Sequence, residues 1–209
     1  MKFNFMVVNM AVCVALFLMS GAGELSAQTP VKAASHTSAV RIHQLTGYGP
    51  RALRSSDSSG SGSRSRNSVR TWAELAVQYD SEPDWIDELT FQYYALLRSR
   101  VSGEYTLLKG SVTYVDVARG RGHLGVAYIR PNALSRLGEI VGVAVEAQVK
   151  GEVVASLSEG KLGPSKPLPT EPGREWWKKP ELVPREGYIV EKSKTPFALI
   201  NFDDYESVK

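Results

Sequence analysis

An all-β, two-sheet antiparallel sandwich is the fold class this sequence predicts, and three observations predict it. Between Leu75 and Leu157 apolar residues recur at period two in several short runs, the spacing that puts one side of a strand against a core. Clusters of Gly, Pro and Ser interrupt those runs at short intervals, as turns do. No regular exchange of strand and helix patterns follows, which argues against a doubly wound α/β fold. A closed β-barrel is the rival architecture, since it uses the same alternation.

The first segment, residues 1–27, reads as an address. Lys2 precedes the nearly apolar run from Phe5 to Met19, small residues follow from Ser20 to Gly23, and Leu25-Ser26-Ala27 closes it, the pattern of a secretory signal peptide. The run falls short of the roughly 20 residues that span a bilayer, so no stable membrane span is expected after cleavage. A retained N-terminal anchor is the alternative. Removal of this segment takes with it Cys13, the single cysteine of the 209 residues. The exported chain then has neither a disulfide framework nor a cysteine-based zinc site, and its core alone must hold it.

Residues 28–70 read as a flexible, basic tether rich in Ser, Gly and Arg. Seven lysines and arginines there face one acid, Asp57, whereas residues 71–209 carry 17 basic and 20 acidic groups. The overall charge of +3 therefore conceals two regions of opposite sign. The stretch from Ser55 to Ser68 holds too little apolar surface to offset chain entropy. Ile42, Leu45, Tyr48 and Leu53 form a small apolar island that is solvated, docks on a partner, or folds back on the following domain. The tether's charge has the sign that nucleic acid attracts, but export argues against that partner. An acidic partner, or its own acidic domain, suits it better.

Residues 71–209 form the expected sandwich domain. Leu75, Val77 and Tyr79 define a half-buried strand, and Asp80 to Asp84, with Pro83, reads as a turn. Leu89 to Leu97 is apolar on both sides and suits a central strand. Tyr105 to Val117 is rich in strand-forming types, with Gly110 marking a bulge or bend. Leu124 to Ile129 follows the glycine-rich Gly120-Arg121-Gly122. Pro131 to Leu137, stopped by Gly138, has the proline-first, glycine-last signature of one short helix. Ile140–Val149 and Val153–Leu157 flank a Lys150-Gly151-Glu152 hairpin turn. A Pro/Gly-rich connection occupies residues 160–173, and Tyr188–Val190 and Phe197–Phe202 read as the last strands.

Residue types bearing chemistry are sparse. His123 is the only histidine of residues 71–209, and neither a Gly-x-Ser-x-Gly turn nor a second histidine accompanies it there. A hydrolase would need His123 beside a carboxylate in a pocket. Arg119 and Arg121 on the glycine loop would suit an anion-binding nest of backbone amides, although no phosphate-loop motif is present. The acids Asp80, Glu82 and Asp84 have suggestive spacing, but Pro83 interrupts them and a solvated acidic turn is the simpler reading. The best binding signal is Trp176-Trp177-Lys178-Lys179-Pro180. In an extended segment adjacent tryptophans cannot both point inward, so one is expected at the surface, for a protein interface or for stacking on sugar rings, unless both cap the core. Trp72 and Trp85, at strand ends, are expected in the core. No metal ion or cofactor is implied.

Four strings are distinctive: Trp85 to Tyr94, Val112 to Leu124, Trp176-Trp177-Lys178 and Lys194 to Asp203. Through them the chain, from about Thr71 to Glu206, resembles a family of exported proteins encoded beside type IV pilus genes in mucin-degrading gut bacteria of the verrucomicrobial group. That resemblance implies an immunoglobulin-like fold, no assigned enzymatic activity and no catalytic residues to carry over. The expectation is an exported, non-enzymatic interaction module of a pilus or cell envelope, in the periplasm, at the outer membrane or outside the cell. Its expected partners are envelope or pilus proteins or a second copy of itself. The alternatives are a module binding host glycan through exposed tryptophan and, behind it, a hydrolase.

Overall fold

The computed structural model describes residues 38–46, 53–55, 70–163, 166–167, 175–200, 205 and 207–209. The segment read as a signal peptide, most of the segment read as a tether and the end of the string that closes at Asp203 lie outside them. Eight strands and one helix follow in the order β1 (Val40–Thr46), β2 (Leu53–Ser55), β3 (Arg70–Arg98), β4 (Tyr105–Ile129), α1 (Pro131–Leu137), β5 (Glu139–Val149), β6 (Glu152–Gly163), β7 (Lys166–Pro167) and β8 (Ile189–Glu191). No described helix is long and apolar enough to cross a membrane.

The sandwich is built from one sheet rather than two. β3 and β4 form a hairpin paired from Ala73↔Ile129 to Arg98↔Tyr105, and each strand crosses both layers. β1 pairs with the first half of β3, from Thr46↔Ala76 to Val40↔Ser81. β5 pairs with the second half, from Leu89↔Val149 to Arg98↔Glu139, and β6 continues outward from β5. β8 joins the end of β4. The inward residues predicted by alternation are the ones buried: Leu75, Val77 and Tyr79 from one half of β3, Leu89, Phe91, Tyr93, Ala95 and Leu97 from the other. They meet face to face, with the Tyr79 and Phe91 rings 4.9 Å apart. The closed-barrel alternative fails because β1 and β6 are not joined by a ladder; the Ser38 hydroxyl donating to Val154 O at 2.8 Å links that gap.

Several local expectations change. Asp80–Asp84 is not a turn: β3 runs on through it with register shifts at Tyr79/Ser81 and Ser81/Trp85, so the strand bends and continues. Gly110 is not a bulge either, for it pairs with Tyr93 in unbroken register. A Cβ there would lie 2.6 Å from Ile189 Cβ, so the glycine vacates an inward slot that β8 fills. Phe197–Ile200 forms turns, not a strand. The helix and the hairpin agree with expectation: Pro131 begins α1, Gly138 ends it, and Lys150 and Gly151 take left-handed φ of 52° and 82°.

Part of the segment read as a tether belongs to the sheet. β1 buries Val40 and Leu45 in the common core, which is the folding-back option for the apolar island around Leu45. Leu45→Ala should therefore remove about 2–3 kcal/mol of stability, read as a lower urea midpoint at unchanged slope. An unchanged midpoint would show that β1 does not belong to the folded sheet.

Both outer faces receive cover from the C-terminal third of the chain. Trp176 and Trp177, on a single 3-10 turn over Trp176–Lys178, lie on Leu96, Leu107 and Ala144 of one layer. Phe197 lies on Val126, Tyr128 and Val190 of the other, its ring 5.5 Å from Tyr128 and 5.9 Å edge-on to Trp72. The free edge of β4 is strapped by Arg185, bonded to Leu107 and Lys109, and by Ser207 and Lys209, bonded to Val115 and Thr113.

Candidate functional site

The residues singled out from sequence separate into two places. Trp176 and Trp177 are both buried, which corrects the expectation of an exposed tryptophan and removes this pair as a stacking platform or interface patch. The reason is local: the segment is a tight helical turn, not extended, so neighbouring side chains can face the same sheet. Beneath them the Glu146 carboxylate, on the outer face of β5, accepts from Trp177 Nε1 at 2.9 Å, Tyr94 OH at 3.2 Å and Lys178 Nζ at 2.8 Å. Burial pushes this carboxyl up, but the hydrogen bonds from Lys178 and Trp177 and the Lys178 charge outweigh it and hold the group below the usual glutamate range. The same carboxylate raises Lys178, while burial, with Glu146 adding to it, raises Tyr94. Lys178 thus acts as a fastening for the turn, and Lys179 stands exposed beside it.

Arg119, Arg121 and His123 lie at the bend of the β3–β4 hairpin. Gly120 N donates to Ser81 Oγ and Gly122 N to Asp80 Oδ1, each at 2.9 Å, so the amides of the proposed anion nest are already spent on β3 side chains. Arg119 reaches Glu82 O with Nε and Asp84 with Nη1 at 3.1 Å. These contacts correct the anion-site reading: the loop is a clasp between two strands. Asp80 is held below the usual carboxylate range by the Gly122 amide first and then by His43, whose Nε2 lies 2.8 Å away. His123 stacks on Tyr79, with ring centroids 5.2 Å apart, and its Nε2 lies 3.3 Å from Ser81 Oγ. That hydroxyl is buried and donates to Ala118 O at 2.6 Å, so it is aimed at backbone rather than at a substrate space. A Cβ at Gly120 would sit 2.5 Å from His123 Nε2, so a side chain there would displace the imidazole.

The third place was not singled out. Trp85, expected in the core, is 66% exposed. Asp116, opposite Asp87 in the hairpin, has a left-handed φ of 54°, and around it the in-out alternation changes phase. Ile86 therefore takes the core position and Trp85 turns outward. Beside it opens a groove of about 670 Å³, lined by Pro83, Trp85, Asp87, Thr90, Gln148 and Lys150 among others. The bend of β3 and the β5–β6 turn bring these groups together. Only Trp85, an aromatic beside a proline and a run of acids, left a trace in the sequence; the approach of Gln148 and Lys150 depends on strand pairing.

A fourth feature is an edge. Among the described residues, β6 from Glu152 to Gly160 is hydrogen-bonded to β5 on one side and to no strand on the other, where β1 approaches it and the Ser38 hydroxyl donates to Val154 O.

A protein-family model matches residues 32–209. No curated protein matches the chain. Among solved structures the chain is similar to a crystal structure of a protein from Akkermansia muciniphila, at 21% identity and a TM-score of 0.59, covering 81% of this chain and 92% of that one. At that identity the likeness shows a shared fold.

Proposed function

We propose that this chain, which belongs to the family whose model matches residues 32–209, is an exported interaction module that takes part in building or anchoring a pilus or another cell-surface assembly and catalyses no reaction. A structural likeness to a protein of a verrucomicrobial gut bacterium agrees with the family that the sequence resembles; the immunoglobulin-like kinship, the pilus setting and export are part of this proposal. One observation carries it: among the described residues no strand is hydrogen-bonded to the β6 edge from Glu152 to Gly160, and of its outward main-chain groups Val154 O is met by the Ser38 hydroxyl. Such an edge is a template for a partner's strand. No proline falls between Glu152 and Gly160, and the charge along that stretch is limited to Glu152 and Glu159, so little guards it against pairing. The clasp chemistry at Ser81 and Asp80 favours binding over turnover, because these groups are directed at their own hairpin and at β1.

The test is position-specific crosslinking in native envelopes. In a Cys13→Ala background, Ser156→Cys on β6 should give a discrete adduct with a pilus or envelope protein, or with a second copy, identified by mass spectrometry. Val183→Cys, on an exposed connection away from β6, should not. Equal yields from the two positions, or no adduct from Ser156→Cys, would overturn the edge as the binding element.

A further inference from the structure

We propose that the groove beside Trp85 is a binding site for a short neutral oligosaccharide. It is a second surface, distinct from the β6 edge, and stands whether or not that edge takes a strand.

The platform comes first. A large aromatic ring held 66% in water loses hydrophobic stabilisation unless something covers it. Here the backbone that carries the ring is held in place: Trp85 pairs with Ala118 across the hairpin, and its neighbour Ile86 is anchored in the core at 4% exposure. An exposed indole face on that backbone suits the axial C–H side of a pyranose ring, since the π-system is electron-rich at its face and the C–H edge is weakly positive. The adjoining space of about 670 Å³ lies inside the range of about 300–1,000 Å³ usual for small-ligand clefts.

The rim selects the ligand class. Asp87 can only accept hydrogen bonds, Lys150 can only donate, and the Gln148 amide does both. None of the three is committed to another side chain among the described residues. A hydroxyl both donates and accepts, so a polyol satisfies all three at once. The other charges nearby are already matched: Asp84 pairs with Arg119 at 3.1 Å and Glu88 with Lys209. That leaves Asp87 against Lys150, a balanced rim that gives neither an anionic sugar nor a basic peptide an electrostatic advantage. The mix of donors and acceptors around one ring, in place of a chain of apolar pockets, favours a saccharide over a peptide.

The test uses the exported protein, folded, on an array of neutral, sialylated and sulfated oligosaccharides with a peptide library alongside. Binding to neutral glycans is expected, about tenfold weaker in Trp85→Ala and partly retained in Trp85→Phe. Circular dichroism and the thermal midpoint of Trp85→Ala should match the parent, because the side chain is exposed. Should that variant fail to fold, Gln148→Ala offers the same readout from the rim. A blank glycan array, signals indifferent to Trp85→Ala, binding confined to sialylated or sulfated glycans, or capture of peptides instead would each overturn the proposal. A Trp85→Ala protein that loses glycan yet keeps the Ser156→Cys adduct separates this site from the edge.

Discussion

Gly138→Ala is expected to abolish a stable fold, with an effect of at least about 4 kcal/mol. Gly138 closes α1 with a φ of 118°, a backbone state that side chains rarely adopt, and its N–H bonds back to Leu134 O at 3.3 Å. A Cβ at this place would lie 1.9 Å from Arg98 O and 2.6 Å from its carbonyl carbon, both backbone atoms that no rotamer change can move. Relief requires shifting the end of β3 or the start of β5, which pair at Arg98↔Glu139. Either shift also disturbs Ala133 and Leu137, the helix side chains buried against the core. The measurement is a thermal melt beside Gly103→Ala as a control, since Gly103 has a left-handed φ of 74° but nothing within 4 Å of its added Cβ. The control should retain a cooperative transition at a slightly lower midpoint. If both variants melt alike, close approach at Arg98 is not what requires glycine.

Glu146→Ala is the second large effect, expected at about 3–4 kcal/mol. The carboxylate is 4% exposed and holds three donors, so its removal strands Trp177 Nε1, Tyr94 OH and Lys178 Nζ together. Lys178→Ala should cost much less, under about 1 kcal/mol, because its own side chain is half exposed. The pH dependence follows from the direction of the shift. Glu146 is held below the ordinary value of 4.5 in the folded chain, so its stabilisation is present above that value and fades as pH falls through the lowered one. Glu146→Gln has no such acid limb, and its deficit relative to the parent should shrink on acidification. A deficit independent of pH would mean that the charge on Glu146 contributes nothing to holding the Trp176–Lys178 turn. Tyr94 works in the other direction: burial raises it, so folded stability should fall in alkali once the unfolded chain's phenol ionises near 10.

Strand character was legible wherever one side of a strand is dry. Alternation placed Leu75, Val77, Tyr79 and the Leu89–Leu97 set correctly, because period two survives any partner choice. The helix and the Lys150-Gly151 turn were legible because proline and glycine act locally there. The bend was not. Proline and polar residues from Asp80 to Asp84 give the same local signal for a turn as for a strand that kinks and carries on, and cross-strand bonds from Ser81, Asp80 and Arg119 decide between them. β1 escaped for a related reason: Val40 and Leu45 gain their burial only from the edge of β3. The tryptophans illustrate both failures. Trp176 and Trp177 were judged on an assumed backbone, and Trp85 on a parity that the left-handed Asp116 reverses.

The two longest strands each donate one half to either layer, and the turn joining them, at residues 99–104, sits at one end of the hairpin. No seam exists along which the layers could part, because separating them means breaking covalent chain or stripping a hairpin from end to end. Melting is then a single event in which the whole body is lost together. A module that is pulled on through a neighbour's strand transmits that load into the same hairpin from whichever layer receives it, and it yields all at once or not at all.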